Sequence, residues 1–236
     1  MRVRRLLSQY DGPPTAELVG AGINATISGS VVTAASAAQT AGSRQNLPLE
    51  NRLVMFVCAM SAAGVGTTVD RAYINGIPAF VEAQANTGGS LVAIISAPVN
   101  IMIDDRIFRL RAELSVSGVT AARTDCFVVT SLSGLRPLSK DLSTTAIDTA
   151  RTVTIPIYTR GYVALAAIND VGAANQCTWT GSAQNPSEIS DVAVGAYRGS
   201  TATRLITVAD NLTATFTATF DVISTTGISL VGAFWR

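Results

Sequence analysis

The sequence predicts an all-β fold: an antiparallel, jelly-roll-like β-sandwich built from two tandem, similar halves behind an extended N-terminal arm. Three observations predict it. Short apolar or alternating runs recur along the chain, each ended by a cluster of Gly, Pro, Asn or Ser/Thr. No stretch keeps the apolar period of a long helix; even the Ala-rich residues 34–41 are interrupted by Ser and Thr and followed at once by Gly42. Five elements of the first half return in the same order in the second, the mark of an internal repeat.

The elements follow in order. Residues 1–22 read as an arm, with a basic start, a "DGPP" turn and then small residues; Pro13-Pro14 forbids helix and favours an extended path. "ATISGSVVT" has weak period-two character and could be a strand, so 1–45 reads as arm plus first strand. "RLVMFVCAM" (52–60) is continuously apolar, as in a central strand buried on both faces. In 69–83, Asn75-Gly76 is a strong hairpin signal. "LVAIISAPV" (91–99) follows, then "RIFRLRAELSV" (106–116). There Ile107, Arg109, Arg111 and Glu113 share one face, and Phe108, Leu110, Ala112 and Leu114 share the other. "CFVVTSL" (126–132) closes the first half, 46–135. Residues 136–150 read as a linker, with a short helical turn around Lys140 to Ile147. In the second half, 151–236, strands are expected at 152–158, 162–169, 176–182, 191–197, 212–222 and 227–235.

The halves align as "RLVMFVCAM" with "YVALAAIN", "RAYING" with "CTWTGS", "LVAIISAPV" with "DVAVGAYRG", "FRLRAELSV" with "LTATFTATF" and "CFVVTSLSG" with "ISLVGAFWR". Two such units could form two small sandwiches or fuse into one larger one.

Composition constrains the role. Of 236 residues 48% are apolar, only 14% are charged, and mean hydropathy is positive. Such a surface is either poor in charge or largely covered, which points to a homo-oligomer or a larger assembly. A net charge of +1 gives no bulk attraction to nucleic acid. Lys140 is the sole lysine; the excess of Arg fits interface contacts or a coding bias. Cys58, Cys126 and Cys177 lie far apart in apolar runs without metal spacing, so buried free thiols are expected. The basic start is not followed by an apolar core, and residues 18–38 are rich in Gly, Asn, Ser and Thr. Neither a secretory signal nor a membrane helix is expected, which reads as a soluble chain made in the cytoplasm. Without a secretory route, the sequons at Asn24 and Asn211 carry no meaning.

Chemistry is constrained too. The chain has no histidine, which removes Ser-His-Asp and Cys-His nucleophile systems and histidine-ligated metals. Asp70, Glu82, Asp104, Asp105 and Glu113 are candidates for a carboxylate pair, and Asp104-Asp105 for calcium, but a solvated turn accounts for that dyad. "GAGINA" (20–25) fits GxGxxA without the strand-then-helix context that a dinucleotide site needs. No catalytic residue, cofactor or metal is expected. Trp179, and Tyr73 in the corresponding place of the first half, are either core residues or a stacking platform for a ligand. Of Phe234 and Trp235, one packs inward and the other could cover a neighbouring subunit. Arg2, Arg4 and Arg5, with Tyr10, Pro13 and Pro14, form either a solvated terminus or an arm that docks on an acidic partner surface.

The run "RGYVALAAIND…CTWTGS…DVAVGAYRG…LTATFTATF…GISLVGAFWR" resembles the doubled β-sandwich proteins encoded among the structural genes of tailed phages and prophages. The resemblance spans roughly residues 50–236; the first copy departs, with "RAYING" in place of the Trp motif. It implies a non-enzymatic virion component: a head fibre, spike or decoration protein, or a tail accessory protein. Capsid or tail proteins would be its partners, and a host-surface glycan or receptor its alternative ligand.

Overall fold

The computed structural model of this 236-residue chain describes residues 14–38, 53–61, 64–98, 107–130, 132, 134–145, 147–172, 174–182, 184–207 and 212–236. Among the described residues there are strands and no helix. The N-terminal strands are β1 (Thr15–Asn24), β2 (Thr26–Ser28), β3 (Val31–Ala35), β4 (Leu53–Ser61), β5 (Val69–Ile74), β6 (Ile77–Thr87), β7 (Ser90–Pro98), β8 (Arg109–Leu114) and β9 (Ala121–Thr130). The C-terminal strands are β10 (Ser139–Thr145), β11 (Ala150–Ile157), β12 (Gly161–Asn169), β13 (Cys177–Gly181), β14 (Ser187–Val194), β15 (Tyr197–Ile206), β16 (Leu212–Phe220) and β17 (Ile228–Trp235).

All pairings are antiparallel, and they stack into four layers. The N-terminal strands form one sheet, ordered β1-β9-β4-β7-β6-β5-β8-β3-β2. It turns back on itself at β6, which pairs with β5 over Ile77–Ala79 and with β7 over Phe80–Thr87. A bulge between Val81 and Ala83 separates most of the β7 pairing from that corner, and bulges bend strands. Phe56, Ile95 and Cys126 of the inner layer meet Val32, Ile74, Phe108 and Leu110 of the outer layer in the first core. The C-terminal strands form an inner sheet, β10-β17-β12-β15-β14, and an outer one, β11-β16-β13. Leu165, Leu230 and Phe234 meet Val153, Trp179 and Phe216 between them.

A third core joins the two inner sheets back to back. Met55, Val57, Ile94 and Phe127 pack against Tyr162, Ala166, Val231 and Trp235. This arrangement explains why β4, β12 and β17 are buried at every position: alternate side chains enter different cores. Each large apolar side chain buried this way contributes roughly 1.5–3 kcal/mol. Phe234 and Trp235 go to opposite faces as alternation requires. The surface that Trp235 covers is the other inner sheet of its own chain.

The pairing order recurs. β1-β9-β4-β7-β6 has its counterpart in β10-β17-β12-β15-β14, and β5-β8-β3 in β13-β16-β11. Asn75 (φ 52) and Gly76 (φ 78) both adopt left-handed backbone, the geometry expected of the predicted hairpin turn.

The structure departs from the sequence reading in three places. Residues 15–24, expected as arm, pair along β9, and β2 and β3 complete the outer layer beside β8. Their small residues give little periodic signal; the apolar face of β9 and the strand β8 supply the partners. Residues 139–145, expected as linker with a helical turn, pair with β17 along their whole length. As an edge strand, β10 needs apolar residues on neither face. "DVAVGAYRG", expected as one strand, is a hairpin bent at Gly195 (φ 65), so the partner of β7 in the repeat is β15.

Candidate binding groove

The alternation of β8 sets the site. Leu110, Ala112 and Leu114 enter the first core, which turns Arg109, Arg111 and Glu113 outward. On one side β5 places Tyr73 opposite Arg111 and Arg71 opposite Glu113. On the other side β3 places Thr33 opposite Arg111 and Ala35 opposite Arg109, with β2 beyond it. Across these four strands lies a groove of about 710 Å³, walled by Asn24, Thr26, Thr33, Tyr73, Arg109 and Arg111 among others. That volume lies within the ~300–1,000 Å³ range of small-ligand pockets.

The hairpin turn anchors one end. The Arg109 amide donates to Asn75 Oδ1 at 2.7 Å, and the Asn75 amide donates to the Arg109 carbonyl at 2.9 Å. Arg111 Nη2 lies 2.8 Å from Glu113 Oε1. The Arg109 guanidinium has no hydrogen-bond or ion-pair partner among the described residues. The groove therefore offers a fixed backbone, one open guanidinium, one paired guanidinium, a half-buried phenol ring, and amide and hydroxyl groups.

The structure separates the two aromatic candidates. Tyr73 lies on the groove, half-buried. Trp179 lies in the core of the C-terminal sheets at 5% exposure, and its indole N–H donates to Ser200 Oγ at 2.8 Å. No face of its ring is open to a ligand. Arg2, Arg4, Arg5, Tyr10 and Pro13 lie outside the described residues, as do Asp104 and Asp105; Pro14 is buried just ahead of β1.

The remaining carboxylates are held in structural contacts. Asp70 accepts from Thr68 Oγ1 at 2.7 Å. Glu82, fully buried, accepts from Ser96 Oγ at 2.7 Å and from Arg136 Nε at 3.0 Å. Asp125, on β9, accepts from the hydroxyls of Ser190 (β14) and Thr201 (β15), so it ties one inner sheet to the other. The amide of Gly22, from the "GAGINA" run, also donates to Asp125, so that run caps a carboxylate within the protein. Cys58, Cys126 and Cys177 are buried thiols outside any disulfide, and burial pushes the Cys58 and Cys177 thiols far above their usual range. Among the described residues no group of three His, Cys, Asp or Glu is placed to hold a metal ion.

Sequence reasoning saw the wet face of β8 and singled out Tyr73, but missed the far wall. Asn24, Thr26 and Thr33 come from the segment read as arm and first strand, where nothing marks them as neighbours of β8. Comparison with models of known families, with curated proteins and with solved structures returns no match.

Proposed function

We propose that this chain is a non-enzymatic structural protein of a virion or virion-like particle: a head fibre, spike, decoration or tail accessory component. The core between the two inner sheets carries this reading. Trp235, Phe127, Tyr162 and Met55 join the two inner sheets, and the cores on either side hold the outer layers to them, giving one body suited to being held against other proteins and presenting its outer faces at fixed spacing. Large apolar side chains at one end of the C-terminal inner sheet support it: Leu138 is 54% exposed, Tyr158 60% and Leu205 41%. Exposed apolar groups of that size mark protein contacts. Anchoring falls to residues 1–13, whose Arg2, Arg4 and Arg5 suit an acidic surface on a capsid or tail partner.

Truncation tests it. Removing residues 1–13 leaves all seventeen strands in the chain, and incorporation into particles is lost while circular dichroism still reports a folded β protein. Retained incorporation refutes the arm as anchor. Failure of the full chain to sediment with particles from its producing cells refutes the structural role itself.

The groove favours a second reading, a glycan- or receptor-binding module of an adsorption protein. Tyr73 is the half-exposed ring on which a sugar would stack, with Asn and Thr groups beside it. Binding on a glycan array that is lost in Tyr73→Ala supports this reading; an array without signal refutes it.

A further inference from the structure

We infer that the groove of the outer sheet takes an acidic sugar, a carboxylated oligosaccharide of the uronic-acid kind, gripped by Arg109 and stacked on Tyr73. The inference rests on the glycan-binding reading.

Charge carries it first. The exposed side of β5 and β8 holds Arg71, Arg109 and Arg111 against two carboxylates, Asp70 and Glu113, of which only Glu113 lines the groove. Glu113 is already engaged by Arg111 at 2.8 Å, which leaves Arg109 open. The overall charge of +1 makes this a local concentration of cations. Guanidinium forks match carboxylates with two parallel hydrogen bonds, which ammonium groups cannot do. Arg109 is also pre-positioned: Asn75 holds its backbone on both the amide and the carbonyl side, so only its side chain has to be ordered on binding.

The rest of the wall selects a sugar among anions. Tyr73 sits directly opposite Arg111, so a ring and a guanidinium lie side by side on one face. A sugar ring packed on Tyr73 can thus extend its carboxylate toward the arginines. Asn24, Thr26 and Thr33 across the groove supply the amide and hydroxyl groups that ring hydroxyls require. A nucleic-acid strand would need a longer basic stripe with repeated aromatic platforms, and the groove has one aromatic ring and one acidic group.

The test uses a tetrasaccharide of galacturonic acid, and the same tetrasaccharide with its carboxylates methyl-esterified, in calorimetric titrations of the full chain. The acidic form binds, weakens as salt is raised, and is bound roughly ten-fold or more weakly by Arg109→Gln, the loss expected for one charge-assisted contact. Tyr73→Ala loses binding to a similar extent, and Tyr73→Phe retains it. Arg109→Gln keeps the wild-type melting temperature. Equal binding of acidic and esterified forms overturns the acidic-sugar inference and leaves the glycan reading standing. Absence of binding to both, with an array also silent, ends the two together. Binding of poly-glutamate or single-stranded DNA as tightly as the tetrasaccharide overturns the choice of sugar.

Discussion

Glu82 and Ile189 occupy the same position in two different hairpins. Glu82 is the extra residue of a bulge between Val81 and Ala83, and Ile189 the extra residue between Glu188 and Ser190. Each stands five residues before the closing pair of its hairpin, Thr87–Ser90 in one case and Val194–Tyr197 in the other. Ile189 packs against the core between the inner sheets. Glu82 instead builds a polar junction: Ser96 and Arg136 donate to its carboxylate, and Lys140 Nζ donates to its carbonyl at 2.7 Å. One backbone device thus serves a greasy contact in one place and a charged clamp in the other, where it ties β10 and the preceding segment to β6.

The clamp is asymmetric, and mutation should expose this. The Arg136 side chain is 55% exposed and that of Glu82 0%. Arg136→Ala leaves a buried carboxylate with one hydroxyl donor and costs about 3 kcal/mol. Glu82→Gln leaves an arginine that water can solvate and costs about 1 kcal/mol. Urea unfolding of both variants checks the order; equal losses would mean that Arg136 does not hold the charge.

What the sequence disclosed follows from how strands are specified. β4 and β12 were legible because burial on both faces leaves an unbroken apolar run. The β5–β6 turn was legible because Asn75-Gly76 accepts two left-handed residues in succession. β1 and β10 were not, and β2 and β3 showed only as one weak alternating run, because edge and small-residue strands draw their stability from a partner whose identity lies in the fold. The groove was half legible for the same reason. Trp179 and Tyr73 looked equivalent in sequence; only the fold places Ser200 beside one indole and leaves the other ring at the surface.

Acid should loosen the contact between β7's hairpin and the 222–227 segment. Burial pushes the Asp170 carboxyl up, but four hydrogen bonds from the amides and hydroxyls of Thr225 and Thr226 outweigh it and hold it below its ordinary value. A depressed folded value means that this stabilisation is fully present above the unfolded value and lost as pH falls through the folded one. Wild type should therefore lose urea resistance as pH drops below about 4, and Asp170→Asn, weaker at neutral pH, should lose less over the same interval. Parallel slopes would exclude Asp170 as the titrating group.

Gly88 touches the same segment. Its φ is +55°, and an added Cβ would lie 2.4 Å from Thr226 Cβ and 2.6 Å from the Thr226 carbonyl oxygen. Gly66 also has a positive φ, +83°, with nothing within 4 Å of the added atom. Gly66→Ala should cost only the left-handed penalty of about 1 kcal/mol, and Gly88→Ala about 3 kcal/mol, since the packed hairpin must also give way. Thermal unfolding separates the two by several degrees, at roughly 2–4 °C per kcal/mol for a chain of this size.

Trp179 and Tyr73 should respond oppositely to truncation. Trp179 is buried among Val153, Phe216 and Ala202, and its N–H is satisfied by Ser200. Trp179→Ala opens a large cavity in that core and costs about 4 kcal/mol. Trp179→Phe keeps most of the packing, leaves Ser200 without its donor, and costs about 1–2 kcal/mol. Neither change reaches the groove, which lies on the outer face of the other outer layer, so ligand affinity of the folded fraction should stay unchanged. Tyr73 points away from the first core, so Tyr73→Ala should leave the melting temperature within a few degrees of wild type and alter only binding. Melting curves and titrations on the same four proteins, wild type and the three variants, check the crossing. A Trp179→Ala protein that stays stable but loses glycan binding would place the ligand on the C-terminal sheets and remove the groove from consideration.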